Sequence, residues 1–348
     1  MLKAFNKAEL SFDLTQEIGH QGANSNAFVA HDHQLDADIV IKRIAKSSLD
    51  DMDQFFEESK ILYLSTHPNV VQIHYACQDA EYIYIGMPYY SRGSLQTLID
   101  SRYLTVREIV TLSCQIISGL HNIHSKKLIH FDVKPANVLL SERGEALVSD
   151  FGLARRQNTA GLAGQDRIYH RMIPPEAFNN QEFDVRFDIY QLGLTIYRMC
   201  NGDAMFNEQF SQYGAGNQFD RDRFRFDVRN GRFPERRTYM EHIPTRLKRI
   251  IKTCLEPDRD NRYKAVIEVA NELAKVDASF DWQFTLDDHS RNWKRAVDGR
   301  LYELSVNQGG ASVAYKTVGS GNRARITKYC KAQITADDIR RFLQENET

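Results

Sequence analysis

Two short stretches constrain this chain more than anything else in it: His130-Phe131-Asp132-Val133-Lys134-Pro135-Ala136-Asn137 and, a little further on, Asp150-Phe151-Gly152. Together they bring a carboxylate base (Asp132), a phosphate-seeking cation (Lys134) and two metal ligands (Asn137, Asp150) into one small region. The chemistry that needs all four at this spacing is phosphoryl transfer. Asp132 is spaced to take the proton of an incoming hydroxyl and Lys134 to neutralise charge on the transferring group, while Asn137 and Asp150 hold Mg²⁺ on nucleotide phosphates.

The bulk properties are compatible with such a chain and exclude several others. With 348 residues, 42% of them hydrophobic, it can bury a large core and divide into two or three domains. Lys and Arg number 45 against 46 Asp and Glu, so nothing in the whole-chain charge indicates a nucleic-acid or membrane-surface binder. The five cysteines are scattered, without C-x-x-C spacing, and read as buried thiols in a reducing compartment. The sequence has neither a membrane-length apolar run nor an apolar signal core at its N-terminus, so cytoplasmic residence with no membrane partner is the expectation.

From Phe12 to about Met87 the apolar residues fall in short β-branched and aromatic runs, which predict a small antiparallel sheet. One acidic segment, Asp50 to Leu64, predicts a single helix that stops before the turn at His67-Pro68-Asn69. Beyond Ser94 the period becomes helical. Thr105 and Glu108 form a capping box ahead of a stripe of Ile109, Leu112, Ile116, Leu120 and Ile123, and a second stripe runs from Asp188 to Cys200. Asn201 to His242 lacks a period and predicts loops with one irregular helix, and helical pattern returns from Thr245 to Lys275. After Ser279, strand-like runs (Trp282 to Thr285, Leu301 to Val306, Ser312 to Tyr315, Arg325 to Tyr329) alternate with Gly-containing turns before a capped helix from Thr335.

The two catalytic stretches, with the other motifs in order, resemble eukaryotic-type Ser/Thr protein kinases over roughly residues 12 to 275. The compact form is similar to kinases of bacteria or their phages. The resemblance implies an α+β, bilobal fold: a β-rich N-lobe at 1–88, a helical C-lobe at 89–278, and then a small α+β C-terminal module at 279–348. It also implies ATP and Mg²⁺ as cofactors and a protein hydroxyl, most readily Ser/Thr, as acceptor. Ile18, Gly19 and Gly22 then belong to a loop over the phosphates, with one extra residue after Gly19 and Ser25 in place of the third glycine. Lys42 is the strand lysine, Glu58 its helix partner, and Leu62, His130 and Phe151 members of an apolar spine. Ala27, Val40 and Leu139, with Ile18, form the adenine clamp. Met87 is the gatekeeper, and Pro88, Tyr89 and Tyr90 the hinge. Glu176 pairs with Arg262, and Asp188 orients the catalytic loop.

Two departures bear on regulation. Phe131 stands where most of the family has Arg, so it cannot gather a phosphate on the activating segment, Asp150 to Glu176. Phosphorylation at Thr159 or Tyr169 is then not required, unless Arg155 or Arg156 supplies the contact. Tyr169 stands where Ser/Thr kinases place a Thr, which leaves the acceptor type less constrained. Lys134 argues for a protein acceptor, since small-molecule phosphotransferases of the aminoglycoside type typically lack it. In the C-terminal module nine cations from Arg291 to Lys331 face two carboxylates, Asp298 and Glu303, with interleaved aromatic rings. This suits a protein docking surface first and nucleic acid second. The rival readings are a pseudokinase scaffold and a regulatory binding protein acting through that module.

Overall fold

The computed structural model describes residues 11–18, 25–48, 66–165 and 168–347. Gly19, Gly22, Glu58, Leu62 and the helix expected over Asp50 to Leu64 lie outside the described residues. The first sheet is built from β1 (Phe12–Glu17), β2 (Ser25–Asp32), β3 (Ala37–Ala45), β4 (Tyr75–Gln78) and β5 (Tyr82–Pro88). All its pairings are antiparallel, in the order β1-β2-β3-β5-β4. Its register pairs Ala27 with Lys42 and Val40 with Met87. Directly opposed residues share a face and successive ones alternate, so Ala27, Val40, Lys42 and Met87 all project from one side of the sheet. The other side buries Ala30, Ile39 and Ile41.

The helical lobe follows. Ser94 caps α1 (Leu95–Ser101), and the Thr105–Glu108 capping box opens α2 (Val106–Ser125), whose stripe is buried as the sequence predicts. Between α2 and α3 (Arg186–Asn201) the chain makes short strands: β6 (Leu128–Ile129), β7 (Val138–Leu140), β8 (Ala146–Val148), β9 (Arg155–Arg156), β10 (Ala163–Gly164) and β11 (Glu182–Phe183). β7 pairs with β8, β6 with β9 and β10 with β11. Helix α3 is buried almost throughout, which makes it a rigid post for the loops packed on it.

The segment read as loops with one irregular helix contains two helices among the described residues, α4 (Asp203–Ser211) and α5 (Arg221–Arg229). Phe206, Phe210, Tyr213, Phe219, Phe224 and Phe233 meet there ring against ring. A cluster gathered from helices and turns together leaves no helical period in the sequence. Thr245 to Lys275 divides into α6 (Thr245–Cys254) and α7 (Val266–Leu273), and Arg262 sits on the connection between them.

The last five strands are β12 (Gln283–Leu286), β13 (Ser290–Val297), β14 (Arg300–Asn307), β15 (Ser312–Val318) and β16 (Ala324–Arg325), paired antiparallel in sequence order. β13 was not expected, because Ser-Arg-Asn-Trp-Lys-Arg-Ala-Val has only one large apolar residue on its buried face. Of the run from Arg325 to Tyr329 only Arg325 is in a strand before the chain turns into a 3₁₀ segment at Thr327–Tyr329. Helix α8 (Ala336–Glu345), with a Thr335–Asp338 capping box, lays Ile339, Phe342 and Leu343 against Trp282, Trp293, Tyr302 and Leu304.

This sheet is docked on the helical lobe. The Arg107 guanidinium holds both Asp281 carboxylate oxygens (2.6 and 3.0 Å), and the Arg107 N–H donates to the Phe280 carbonyl (2.9 Å). Gln283 Nε2 donates to the Tyr103 carbonyl at 2.9 Å and Arg291 pairs with Glu241 at 2.6 Å. The Phe284 ring lies edge-on to Tyr103 (4.7 Å) and stacks on His242 (5.6 Å). His242 is fully buried, and burial, helped by the Lys248 charge, pushes its pKa down to about 3. The folded value lies below the unfolded one, near 6.5, so the unfolded chain gains a proton that the folded chain refuses. Stability is whole above that pH and falls as the pH drops toward 3, by up to about 1.4 kcal/mol per unit. His242→Phe should therefore reduce the loss of melting temperature between pH 6.5 and 4.5. Parallel melting curves for the two proteins across that range would refute the assignment.

Candidate active site

Asp188 and Gln191 on α3 fix the backbone of the loop from His130 to Asn137. Asp188 accepts the N–H groups of His130 and Phe131, each at 2.8 Å, and His124 Nε2 at 2.7 Å. Gln191 accepts the Val133 N–H at 2.8 Å and donates to the Phe131 carbonyl at 3.0 Å. Phe131 has φ +66°, the left-handed region that costs a non-glycine residue about 1 kcal/mol or more, and these bonds on both of its peptide groups hold it there. Asp188 was legible in the sequence, whereas Gln191 was overlooked. Its signal is a polar residue in an apolar helix, three positions beyond Asp188. His130 donates from Nε2 to the Ser149 carbonyl (3.0 Å) and accepts the Asp132 N–H at Nδ1 (3.2 Å), with the Phe151 ring 5.1 Å away.

This scaffold aims the polar side chains. Asp132 is 6% exposed, and its Oδ2 accepts Lys134 Nζ at 2.8 Å and Asn137 Nδ2 at 2.7 Å. Its Oδ1 is buried with no partner. A buried acceptor left open costs roughly 1–3 kcal/mol, a cost that makes sense where a donor is to arrive. Asn137 Nδ2 is committed to Asp132, so its Oδ1 is the atom left for a cation. The Tyr169 ring covers Lys134, its centroid 4.4 Å from Nζ.

Lys42 reaches across from β3 to pair with Asp150 Oδ1, which also accepts the Gly152 N–H at 3.3 Å. Desolvation pushes the Asp150 pKa up, but the Lys42 ammonium and that N–H outweigh it and hold the carboxyl down to about 2. Asp150 is thus ionised over the whole useful pH range, as a cation ligand must be. Of the clamp residues, Ala27, Val40 and Met87 share the face of Lys42, and Ile18 donates its N–H to the Ala27 carbonyl at 2.7 Å. Leu139 is half-buried on β7, bridged to Ser94. Tyr89 is exposed and Tyr90 half-buried on the stretch between the lobes.

The activating segment is tied down at several points. The Arg262 guanidinium clasps both Glu176 oxygens (2.8 and 2.7 Å) and lies over the Tyr190 ring at 4.7 Å. Gln165 Nε2 donates to the Leu153 carbonyl at 2.7 Å. Phe131 is fully buried with Ile129, Ala163, Phe183 and Phe187, and its ring lies 4.9 Å from Phe187 and 6.0 Å from Phe183. Where a charged anchor would sit, an apolar plug joins the catalytic loop to β10 and β11.

The cations of the C-terminal sheet are largely satisfied within the chain. Lys294 and Arg323 both pair with Glu303, Lys328 with Glu345 and Lys331 with Asp338, Arg291 binds Glu241, and Arg295 donates to the Asn346 carbonyl. No helix among the described residues is long and apolar enough to cross a membrane.

A five-stranded sheet facing a helical lobe, with a strand lysine set against an Asp-Lys-Asn loop and a Phe-Gly turn, defines the bilobal phosphotransferase class. The chain belongs to the protein kinase domain family, which matches it over residues 12–273 and whose members generally depend on ATP and Mg²⁺. It is similar to mitogen-activated protein kinase kinase kinase 1b of Physcomitrium patens, 32% identical over 49% of this chain and 22% of that protein. A probable serine/threonine-protein kinase of Clostridium perfringens is 25% identical over 76% of this chain and 38% of its own length. The serine/threonine-protein kinase PknJ of Mycobacterium tuberculosis is 28% identical over 53% and 33% respectively. The chain thus spans well under half the length of these curated relatives.

Proposed function

We propose that this chain is an ATP- and Mg²⁺-dependent protein kinase that transfers the γ-phosphoryl group to a protein hydroxyl, most readily that of Ser or Thr. The observation that carries the reading is the open Asp132 Oδ1, buried beside Lys134 and Asn137. An acceptor hydroxyl donating to that oxygen is held with its own oxygen free for in-line attack, and Asp132 takes the proton as the new bond forms. Lys134 neutralises charge on the group in transit. Asn137 and Asp150 would hold Mg²⁺, which supplies charge neutralisation of the phosphate oxygens when bound. Lys42, paired here with Asp150, is the cation for the remaining phosphates, and Glu58 its partner when it turns to them. Ala27, Val40, Met87 and Leu139, with Ile18, would enclose the adenine side, the resemblance assigns Gly19 and Gly22 to the phosphate loop, and Tyr89 and Tyr90 would present backbone groups to the base.

The direct test is incubation of the purified protein with γ-labelled ATP, Mg²⁺ and a generic protein acceptor. Stable label on Ser or Thr, abolished by a chelator, is expected. Label confined to released phosphate would reject the reading. The chain-internal partners of six basic C-terminal residues favour a protein-docking role for that module over nucleic acid.

The plug around Phe131 bears on activation. Its cohesion is apolar, so no phosphate is needed to seat the activating segment. Protein produced alongside a phosphatase should phosphorylate substrate within about twofold of the untreated rate, and Thr159→Ala should be tolerated. A lag that preincubation with ATP abolishes would show the opposite.

A further inference from the structure

The machinery around Asp132 does not account for the cations immediately beside it. Lys134, Tyr169, Arg171, Arg198, Asp203 and Gln96 line a cavity of about 320 Å³ that begins at the lysine bound to the base itself. On the far side of Arg171 a second cavity of about 410 Å³ is lined by His170, Arg171 and Arg221 together with Asn207 and Phe210, and among the described residues no carboxylate lines it. The two cavities share Arg171 in their walls, and with the first bordered by Lys134 they make a two-part trough that starts near the point where the acceptor hydroxyl must sit.

The charges in this trough are unequal in availability. Arg198 is 6% exposed and its charge is met by Asp203 at 2.5 Å, while the other Asp203 oxygen takes Asn207 Nδ2 at 2.7 Å. Asp203 is therefore used up internally, and Lys134 is held by Asp132. Arg171 differs. It is exposed, donates to the neutral Asn207 Oδ1 at 3.2 Å and lies over the Phe210 ring at 4.8 Å, and among the described residues it has no carboxylate partner. A stacked, pre-oriented guanidinium at the mouth of a cationic trough is matched by a planar carboxylate or a phosphate, because its fork can give either one two parallel hydrogen bonds.

We infer that the trough across Arg171 is a specificity subsite for an anionic side chain of the acceptor protein, near the residue that is phosphorylated. The inference rests on the kinase reading above and narrows its substrate class to acidic or already phosphorylated sequences. Asp, Glu and phosphoserine share the chemistry that Arg171 recognises, and the experiment separates them.

The test uses the full chain and degenerate peptides centred on one serine, with Ala, Asp, Glu, phosphoserine or Lys placed in turn at each flanking position. At one position an anionic residue should raise kcat/KM about tenfold over Ala, the scale of one well-placed, partly desolvated charge pair. The larger of the carboxylate and phosphoserine gains identifies the natural source. Arg171→Gln should remove the gain, and Arg171→Glu should transfer it to Lys at the same position. Preference that is absent in the native protein, or that survives unchanged in both variants, overturns the subsite. Fluorescence anisotropy with the same peptides, carrying Ala at the centre, supplies a readout independent of turnover. Charge-selective binding that depends on Arg171, without phosphoryl transfer to any peptide, would keep the subsite and reject the kinase. Transfer without selectivity would do the reverse, and neither transfer nor selective binding would reject both.

Discussion

Asp132→Asn is expected to lower turnover by about 10²–10⁴, equivalent to roughly 3–5 kcal/mol of transition-state stabilisation, with the Michaelis constant for ATP changed by no more than a few-fold. The replacement is nearly isosteric, and its amide oxygen can still accept from Lys134 or Asn137, which now bind Oδ2 at 2.8 and 2.7 Å. Its other amide atom is then an NH₂ group where the open Oδ1 now waits, a donor facing a donor. The acceptor hydroxyl loses both its hydrogen-bond partner and its base. Folding should be barely affected, because the His130–Asn137 loop is pinned through backbone groups by Asp188 and Gln191 rather than through the Asp132 side chain. Rapid-quench kinetics at saturating ATP would measure the change, and unaltered turnover would remove Asp132 from the role of base.

The parts of this site that could be read from the sequence are those in which chemistry and spacing lie close together in the chain. Asp132, Lys134 and Asn137 fall within six residues, so their convergence needs only a local loop. The helix caps at Thr105 and Thr335 are equally local, and both capping boxes are present. Glu176 and Arg262 lie far apart, and only the order of motifs joined them before the structure brought their charges into contact.

What escaped the sequence has a common physical cause, since it depends on which neighbours a residue meets across the fold. Phe131 could be recognised as lacking a charge. That Phe183 and Phe187 would close on it across the fold could not. Lys42 also meets Asp150 across the two lobes, a contact that no local spacing announces, while its expected partner Glu58 lies outside the described residues. Gln191 shows in sequence only as a polar residue in an apolar helix, and Arg171 looks ordinary there. One acquires its role from a carbonyl and an N–H of a loop about sixty positions away, and the other from two cavities that exist only once α4 packs beside the activating segment.

Removal of residues 279–348 is the second change for which a large effect is expected, and it bears on whether the C-terminal module is separable. Its composition and self-contained cap read as an independent unit, yet the contacts across the junction are apolar and specific. Phe280 packs on the core of the helical lobe, while Tyr103 and Met240 of that lobe are half-buried against the module's core. The Phe284 ring closes over both Tyr103 and His242. Trp282 and Trp293, by contrast, belong to the module's own interior, where Trp282 Nε1 donates to the Leu343 carbonyl at 3.2 Å. Truncation therefore removes one large side chain from the lobe and uncovers several others. At about 1.5–3 kcal/mol for each fully buried side chain, and less for those half-buried, the loss amounts to several kcal/mol. The melting temperature should fall on the order of 10 °C, with a new exposed apolar patch that promotes association. Tyr103→Ala in the full chain, which cuts the contact from the lobe side and leaves Phe284 in the module's own core, should reproduce part of the fall, which separates loss of the contact from loss of the module. Calorimetry and light scattering of the truncated protein decide the question. A monomeric core melting within a degree or two of the full chain would show that the junction contributes little and that the two units are joined only by the chain.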